Sequence, residues 1–170
     1  MPVVQRKPKK IVIQVAGNPQ FAPHISRNKE IANPRTGDLD WGQFPEITTA
    51  GKHFPAGPIR LRYGEHKGPE RGFGLEHIWE ARKYKSTVLN TPMLAINMVA
   101  NLLLSIMQSG AEIYYEGAMA RSADRAMVFK SKEGTVIVEE RVDGAGKTFY
   151  SIVTAIPNTT AKGTLIGNLA

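Results

Sequence analysis

The feature that most limits the fold is the stretch 88–110, which contains no Lys, Arg, Asp or Glu. Within it, Asn97, Asn101 and Ser105 recur every four residues and give the apolar segment 92–108 a polar stripe. That spacing indicates a helix, and its length is at the short end for a membrane span. The sequence therefore predicts a core helix and no membrane insertion by this chain.

Helical and strand patterns follow one another around this segment. Leu75, Ile78 and Trp79 share one stripe of a helix, which predicts a short helix before the uncharged one. After Gly110 the pattern changes to four short β runs separated by turn residues. The fold class predicted is α+β, with two N-terminal helices packed on a four-stranded antiparallel sheet. The four strands are predicted at Ala111–Tyr115, Ala126–Lys130, Thr135–Glu140 and Thr148–Ile156.

Residues 1–57 are rich in Pro, Gly and Asn, which predicts a partly ordered N-terminal extension before a domain at 58–170. One strand is expected in the extension, at Lys10–Val15. The aromatic residues of the segment 38–44 indicate that part of the extension packs onto the domain. The tail from Pro157 is rich in Thr, Asn and Gly and is predicted to fray.

The net charge of +7 is concentrated in the first half of the chain. Residues 52–87 carry eight Lys and Arg against four Asp and Glu, whereas residues 111–170 carry seven of each. A local basic surface favours a polyanionic partner such as nucleic acid, although on charge alone a basic protein without such a ligand is equally expected. The absence of Cys excludes disulfides, thiolate catalysis and Cys-based zinc sites. No secretory signal is apparent, and we expect the protein to act in the cytoplasm of a host or target cell.

The densest basic part of the chain surrounds two histidines. His66 lies in a charged loop, and His77 follows Gly72-Phe73-Gly74 near the start of the first helix. Because His77 falls nearly opposite the apolar stripe, we expect it to be exposed or functional and not buried. Imidazoles exchange protons near neutral pH, so the segment 58–85 suggests phosphodiester cleavage without a metal.

Further candidates come from two strands. Arg60 and Arg62 alternate with apolar residues and would share a strand face, where two guanidiniums can hold a phosphate. On the last strand, Tyr150 and Thr154 are predicted to line the open face, with Phe149 turned to the core. An ordinary solvated strand face is the common alternative for both strands. The residues predicted to contact substrate are His66, Lys67, Arg71, Arg82, Lys85 and Tyr150.

The sequence contains no motif for dinucleotide binding, for a phosphate-binding loop or for a helical metal site. Gly72-Phe73-Gly74 is not a dinucleotide fingerprint, and no Gly-Lys-Ser/Thr phosphate loop is present. His66 and His77 lie too far apart in sequence for a helical metal pair. We therefore predict neither a cofactor nor a metal.

The residues Arg60-Leu61-Arg62-Tyr63-Gly64 and Gly72-Phe73-Gly74-Leu75-Glu76-His77-Ile78 carry a family resemblance. The chain resembles the phage- and polymorphic-toxin-associated nucleases of the barnase/EndoU/colicin/RelE-like superfamily. The resemblance spans roughly residues 35–156 by pattern, and its specific part is the Gly-Phe-Gly-Leu-x-His-Ile core.

This resemblance implies a toxin-type, metal-independent endoribonuclease, in which the ribose 2′-hydroxyl attacks the adjacent phosphate to leave a cyclic phosphate. It implies RNA, including tRNA, as the substrate class and a cognate immunity protein as a partner. By position, it assigns catalysis to His77, Arg60 or Arg62, and Thr154. Two alternatives stay open: a non-catalytic nucleic-acid-binding or phage structural module, and a nucleotidyl- or ADP-ribosyl-transferring toxin.

Overall fold

The computed structural model describes residues 25–49, 51–68, 71–82, 92–117 and 124–170. The strand predicted at Lys10–Val15 and the substrate contact predicted at Lys85 lie outside these ranges. Arg82 is described only as the last residue of a helix.

The described chain forms short strands first, then two helices, then longer strands. The first group is β1 (Glu30–Ile31), β2 (Asp40–Phe44), β3 (Ile47–Thr49), β4 (Lys52–Phe54), β5 (Gly57–Arg62), β6 (Glu65–Gly68) and β7 (Arg71–Phe73). The helices are α1 (Gly74–Arg82) and α2 (Pro92–Ile106). The last group is β8 (Glu112–Tyr115), β9 (Arg125–Lys130), β10 (Gly134–Val142), β11 (Thr148–Pro157) and β12 (Thr164–Asn168).

Eight of these strands form one sheet in the order β1-β5-β11-β10-β9-β8-β12, with β2 also paired to β5. Its pairs are antiparallel except for β5 with β11, where Ile59 lies beside Tyr150 in a parallel pair. The hairpins β3–β4 and β6–β7 are separate two-stranded sheets. The predicted fold class, an α+β domain with two helices on a four-stranded antiparallel sheet, is therefore wrong. The described chain is mostly β, and its main sheet is larger and mixed.

The helices and the four C-terminal strands lie close to where the sequence predicts them. α1 and α2 cover the two helical patterns, and β11-β10-β9-β8 are neighbours in an antiparallel meander. The tail, however, does not fray as predicted. Within β12, Thr164 lies opposite Tyr115 and Asn168 opposite Glu112, so the tail adds an edge strand beside β8.

A single hydrophobic core joins the main sheet to both helices. Leu75 and Ile78 of α1 and Leu103 of α2 are fully buried in it. Aromatic residues before position 58 enter the same core, among them Trp41 and Phe54. Pairing of β1 and β2 with β5 also crosses the boundary predicted between residues 1–57 and 58–170. No helix in the described ranges is long and apolar enough to cross a membrane.

A β-bulge in β11 decides which of its side chains face the core. Val138 of β10 lies opposite Ile152, and the preceding Ile137 lies opposite Thr154, so Val153 is an extra residue. Before the bulge Tyr150 and Ile152 are buried in the core, and after it the buried residue is Ala155. The assignment of Tyr150 to the open face and Phe149 to the core is therefore wrong. The sequence suggests a strict alternation of faces along the strand, and the extra residue of the bulge breaks this alternation.

Candidate functional site

Hairpin β6–β7 lies between the end of β5 and the start of α1, and its two faces carry different chemistry. Glu65 lies opposite Phe73, and His66 lies opposite Gly72. Directly opposed residues of an antiparallel pair share a face, and neighbours along a strand point to opposite faces. One face of the hairpin therefore carries Glu65 and Phe73, and the other carries His66 and Gly72.

On the second of these faces, His66 meets His77 of α1. Their Nδ1 atoms are 2.9 Å apart, and the ring centroids are 5.1 Å apart with the ring planes inclined by 30°. A hydrogen bond between two ring nitrogens needs one N–H and one lone pair, so the two Nδ1 atoms share one proton. His77 is 4% exposed, whereas His66 is partly exposed. The structure thus brings together the two histidines that the sequence singles out.

The expectation that His77 is not buried is wrong. Its side of α1 lies away from the apolar stripe of Leu75 and Ile78, as the helical pattern indicates. Hairpin β6–β7 covers that side, because His66 and Gly72 pack against the imidazole. Two sides of α1 are thus covered. Only the side that packs on the core is apolar, so the sequence shows a single apolar stripe.

The glycines of the Gly-Phe-Gly motif permit this close packing. Gly72 has φ +144°, and a Cβ there would lie 2.8 Å from Nδ1 of His77 and would collide with the carbonyl oxygen of Glu65. Gly74 has φ +81°, and its Cβ would lie 2.5 Å from the carbonyl oxygen of Arg62. Positive φ and backbone contact both require glycine. The motif therefore fixes how the hairpin meets the helix.

Two carboxylates flank the hairpin and are affected in opposite ways. Glu76 accepts a hydrogen bond from the backbone N–H of His66, but burial and the charge of Glu80 raise the pKa of Glu76. For Glu65, burial is the largest single effect on the pKa and acts in the same direction, but it does not decide the outcome. It is outweighed by the hydrogen bonds from Arg27, at 3.1 and 3.2 Å, and by the charge of Lys67, so the pKa of Glu65 is lowered.

Arg60 is engaged by carboxylates of neighbouring strands. Its Nε donates to Asp40 at 2.7 Å, and its Nη1 donates to both carboxylate oxygens of Glu30 at 3.0 and 3.2 Å. The guanidinium predicted to hold a phosphate is therefore neutralised by side chains of β1 and β2.

Arg62 is buried at 8% exposure and lies on the Phe73 side of the hairpin. Its Nε donates to Oγ of Ser151 and its Nη1 to Oδ1 of Asn28, both at 2.8 Å. The ring centroid of Phe73 lies 4.2 Å from the guanidinium carbon. Burial lowers the pKa of Arg62, and the nearby charge of Arg141 acts in the same direction. Because His66 points from the opposite face of the hairpin, Arg62 does not converge with the histidine pair.

The two residues predicted on the last strand have separate positions. Tyr150 is fully buried, donates its hydroxyl to the carbonyl of Pro55 at 2.5 Å and stacks on Phe44 with 4.1 Å between ring centroids. Burial, and then the charge of Glu140, raises the pKa of Tyr150 well above its ordinary value. It therefore cannot stack on a substrate base without leaving the core. Thr154 is partly buried next to the bulge in β11.

The remaining predicted substrate contacts of the described chain lie toward the tip of the hairpin. Lys67 is exposed and lies 3.5 Å from Glu65, and Arg71 is exposed at the start of β7. These two cations can reach a large ligand, whereas Arg60 and Arg62 are held by the fold.

Sequence reasoning missed the residues that hold Arg62. Asn28 and Ser151 lie 34 and 89 positions away from Arg62 along the chain. No spacing signal connects such distant residues. The parallel pairing of Ser151 with Arg60, two residues before Arg62, brings Ser151 close, and the pairing of Glu30 with Arg62 brings Asn28 close.

Within the described ranges, no group of three or more His, Cys, Asp or Glu side chains could hold a metal ion. No family model, curated protein or solved structure matches the chain. Support for a nuclease therefore comes from the geometry of the histidine pair alone.

Proposed function

We propose that the protein is a metal-independent endoribonuclease in which His66 and His77 handle the proton of the attacking hydroxyl. The observation that supports this most directly is the 2.9 Å hydrogen bond between their Nδ1 atoms. When His66 donates its Nδ1–H to His77, the lone pair of His66 lies on Nε2. His66 is also the more exposed of the two, so it is the one that can reach a substrate.

The chemistry follows from this tautomer. Nε2 of His66 takes the proton of the ribose 2′-hydroxyl, the bond between the 2′-oxygen and phosphorus forms, and the bond to the 5′-oxygen breaks. The leaving 5′-oxygen takes a proton from water, and the products are a cyclic phosphate and a 5′-hydroxyl. His77 is a positioning residue that fixes the ring and tautomer of His66 and stabilises the imidazolium as it forms.

The exposed cations toward the hairpin tip support RNA as the substrate. Lys67 and Arg71 lie on the two strands of the hairpin that carries His66. Contacts from Lys and Arg to phosphates supply sequence-independent affinity for nucleic acid. Lys67 lies beside Glu65, on the face opposite His66, so this proposal assigns to Lys67 and Arg71 the phosphates that flank the cleavage site, in place of the Arg60 and Arg62 clamp expected from the sequence.

The test is cleavage of total RNA by the purified protein in EDTA, resolved on a denaturing gel. We expect discrete fragments from the wild type and a rate lower by about 10²-fold or more for His66→Ala, since general acid–base catalysis supplies that order of acceleration. His53→Ala is the matched control, because His53 is an exposed histidine bonded to Glu46 in hairpin β3–β4. Wild-type rates from His66→Ala would refute the assignment.

One observation favours a second function, a non-catalytic nucleic-acid-binding module. The family resemblance assigns catalysis to Arg60 or Arg62, and both are engaged by the fold away from the histidines. Intact RNA in the cleavage assay, together with RNA binding that weakens steeply with salt, would support this alternative.

A further inference from the structure

A cleft of about 700 Å³ opens on the Phe73 side of hairpin β6–β7, away from the histidine pair. Its walls come from the segment before β1, the end of β5, and the turn that joins β10 to β11. Phe149 and Val142, which is 62% exposed, supply apolar surface. The volume lies in the range of small-ligand sites, and the wall combines apolar and charged side chains as such sites do.

Arg62 in this cleft has hydrogen-bond donors to spare. A guanidinium has five N–H groups, and Ser151 and Asn28 accept from one each. Three remain, both on Nη2 and one on Nη1, with no hydrogen-bond acceptor in the part of the chain that the structure describes. No Arg62 nitrogen is among the buried side-chain atoms of the described chain that lack a hydrogen-bond partner, so these donors are open to the cleft, where an oxyanion can reach them.

Arg62 also lacks a carboxylate of the described chain in direct contact, although the charges of Glu139 and Glu30 act on it at longer range. Within the described ranges no carboxylate forms an ion pair with it, although the cleft wall carries four carboxylates. Each of those four has hydrogen-bond donors of its own. The partners are Arg60 for Glu30, Lys52 for Asp124 and Glu140, and the backbone N–H groups of Ala145 and Lys147 for Asp143.

Two aromatic rings limit how a ligand can approach. The centroids of Phe73 and Phe149 lie 4.2 and 5.8 Å from the guanidinium carbon of Arg62. Rings over the face of a guanidinium leave its edge for hydrogen bonding, and that edge matches two oxygens of one planar anion.

We propose that this cleft binds a small ligand through a single carboxylate held by the guanidinium edge of Arg62. Besides Arg62, the wall carries Arg27 and Arg141, and these two cations offset the repulsion that the four carboxylates of the wall exert on one bound negative charge. The four carboxylates of the wall disfavour a polyanion, so a nucleic-acid strand does not fit the same electrostatics. This site is separate from the histidine pair and does not depend on RNA cleavage.

The test follows the Nε–H resonance of Arg62 by NMR while the full-length protein is titrated with sodium acetate. Dimethyl phosphate is titrated in parallel as a singly charged phosphodiester probe, and sodium chloride controls for ionic strength. We expect a saturable shift with acetate, and weaker or no saturation with the other two. Equal shifts with chloride, or tighter saturation by dimethyl phosphate, would overturn the carboxylate site.

Variants sharpen the same experiment. Arg62→Lys keeps the charge but loses the planar edge, and we expect it to weaken acetate binding by at least about tenfold. The exposed Arg35→Lys is the matched control. His66→Ala, on the other face of the hairpin, is expected to leave acetate binding unchanged. If Arg62→Lys does not fold, the wild-type titrations with the three probes decide alone.

Discussion

The two faces of hairpin β6–β7 place similar nitrogen-rich side chains in opposite electrostatic situations. On one face the Nδ1 atoms of His66 and His77 share one proton across 2.9 Å. On the other face Arg62 keeps its charge, is held by Ser151 and Asn28, and forms no ion pair within the described chain. The first arrangement suits proton transfer, and the second suits the binding of an anion.

The comparison shows that residues adjacent in the sequence of a hairpin can take part in different sites, because they point to opposite faces. His66 is adjacent to Glu65, and Gly72 is adjacent to Phe73, yet each pair of neighbours serves opposite faces. A basic, histidine-containing segment therefore does not have to form one site. Here it contributes to two proposed sites, one on each face, and variants of single residues can separate them.

The largest effect is expected where both faces depend on one residue. Gly72→Ala would place a Cβ against the carbonyl of Glu65 and 2.8 Å from Nδ1 of His77, at a φ of +144°. We expect a loss of about 3 kcal/mol or more in the free energy of unfolding, from backbone strain and overpacking together. Urea denaturation measures this loss in the free energy of unfolding. RNA cleavage and acetate binding should fall together in this variant, unlike in the variants of a single face.

Gly144→Ala is the control for this substitution. Gly144 lies in the β10–β11 turn, and a Cβ there meets nothing within 4 Å. We expect a change within about 0.5 kcal/mol. Equal stability losses in the two variants would show that the hairpin does not require the close approach at Gly72.

An intermediate effect is expected from truncating the two arginines of β5. Arg62→Ala removes the stack on Phe73 and leaves Ser151 and Asn28 without their donor, and should cost about 2–3 kcal/mol. Arg60→Ala should cost about 1 kcal/mol or less, because its partners Glu30 and Asp40 are 29% and 43% exposed and can be hydrated. Chemical denaturation of both variants compares them directly. A larger loss for Arg60→Ala would mean that the ion pairs on β5 matter more than burial.

The sequence predicts the parts of this fold that depend on neighbours along the chain. The uncharged helix and the meander β8–β11 follow local periodicity and short turns, and both are present. The alternation at Arg60 and Arg62 predicts a strand at β5, but β1 and β2 depend on pairing with this distant strand, and β1 has only two residues. No local pattern marks such strands, so the size and mixed direction of the sheet could not be predicted.

The same limit applies to the candidate site. The residue types were sufficient to select His66 and His77, because imidazoles near a basic cluster suggest proton transfer. Their contact depends on the register of β6 against β7, and the burial of Tyr150 depends on a bulge in β11. The selection of Arg62 for binding an oxyanion stays a prediction, and the hairpin places this residue on the face opposite His66.

The smallest effect concerns the carboxylates beside the two faces and has opposite signs. The pKa of Glu76 is raised in the folded protein, so its stabilising contribution is complete below the unfolded pKa and is lost as the pH rises through the folded value. Glu76→Gln should therefore stabilise the protein at neutral pH by less than about 1 kcal/mol. The pKa of Glu65 is lowered, so its contribution is present above the unfolded pKa and is lost as the pH falls. Glu65→Gln should destabilise by a similarly small amount at neutral pH.

Both differences should vanish only when the pH lies well below the lowered folded pKa of Glu65, because both carboxyl groups are then protonated in the folded and unfolded states alike. Thermal unfolding of the wild type and the two variants across pH measures this. Because each substitution removes one carboxylate from the same hairpin region, a general effect of net charge would move both variants in the same direction. Opposite signs at neutral pH that converge in acid would instead assign the effect to the local partners, which are Arg27 for Glu65 and the buried surroundings of Glu76. Shifts of the same sign would contradict the separation of the two faces.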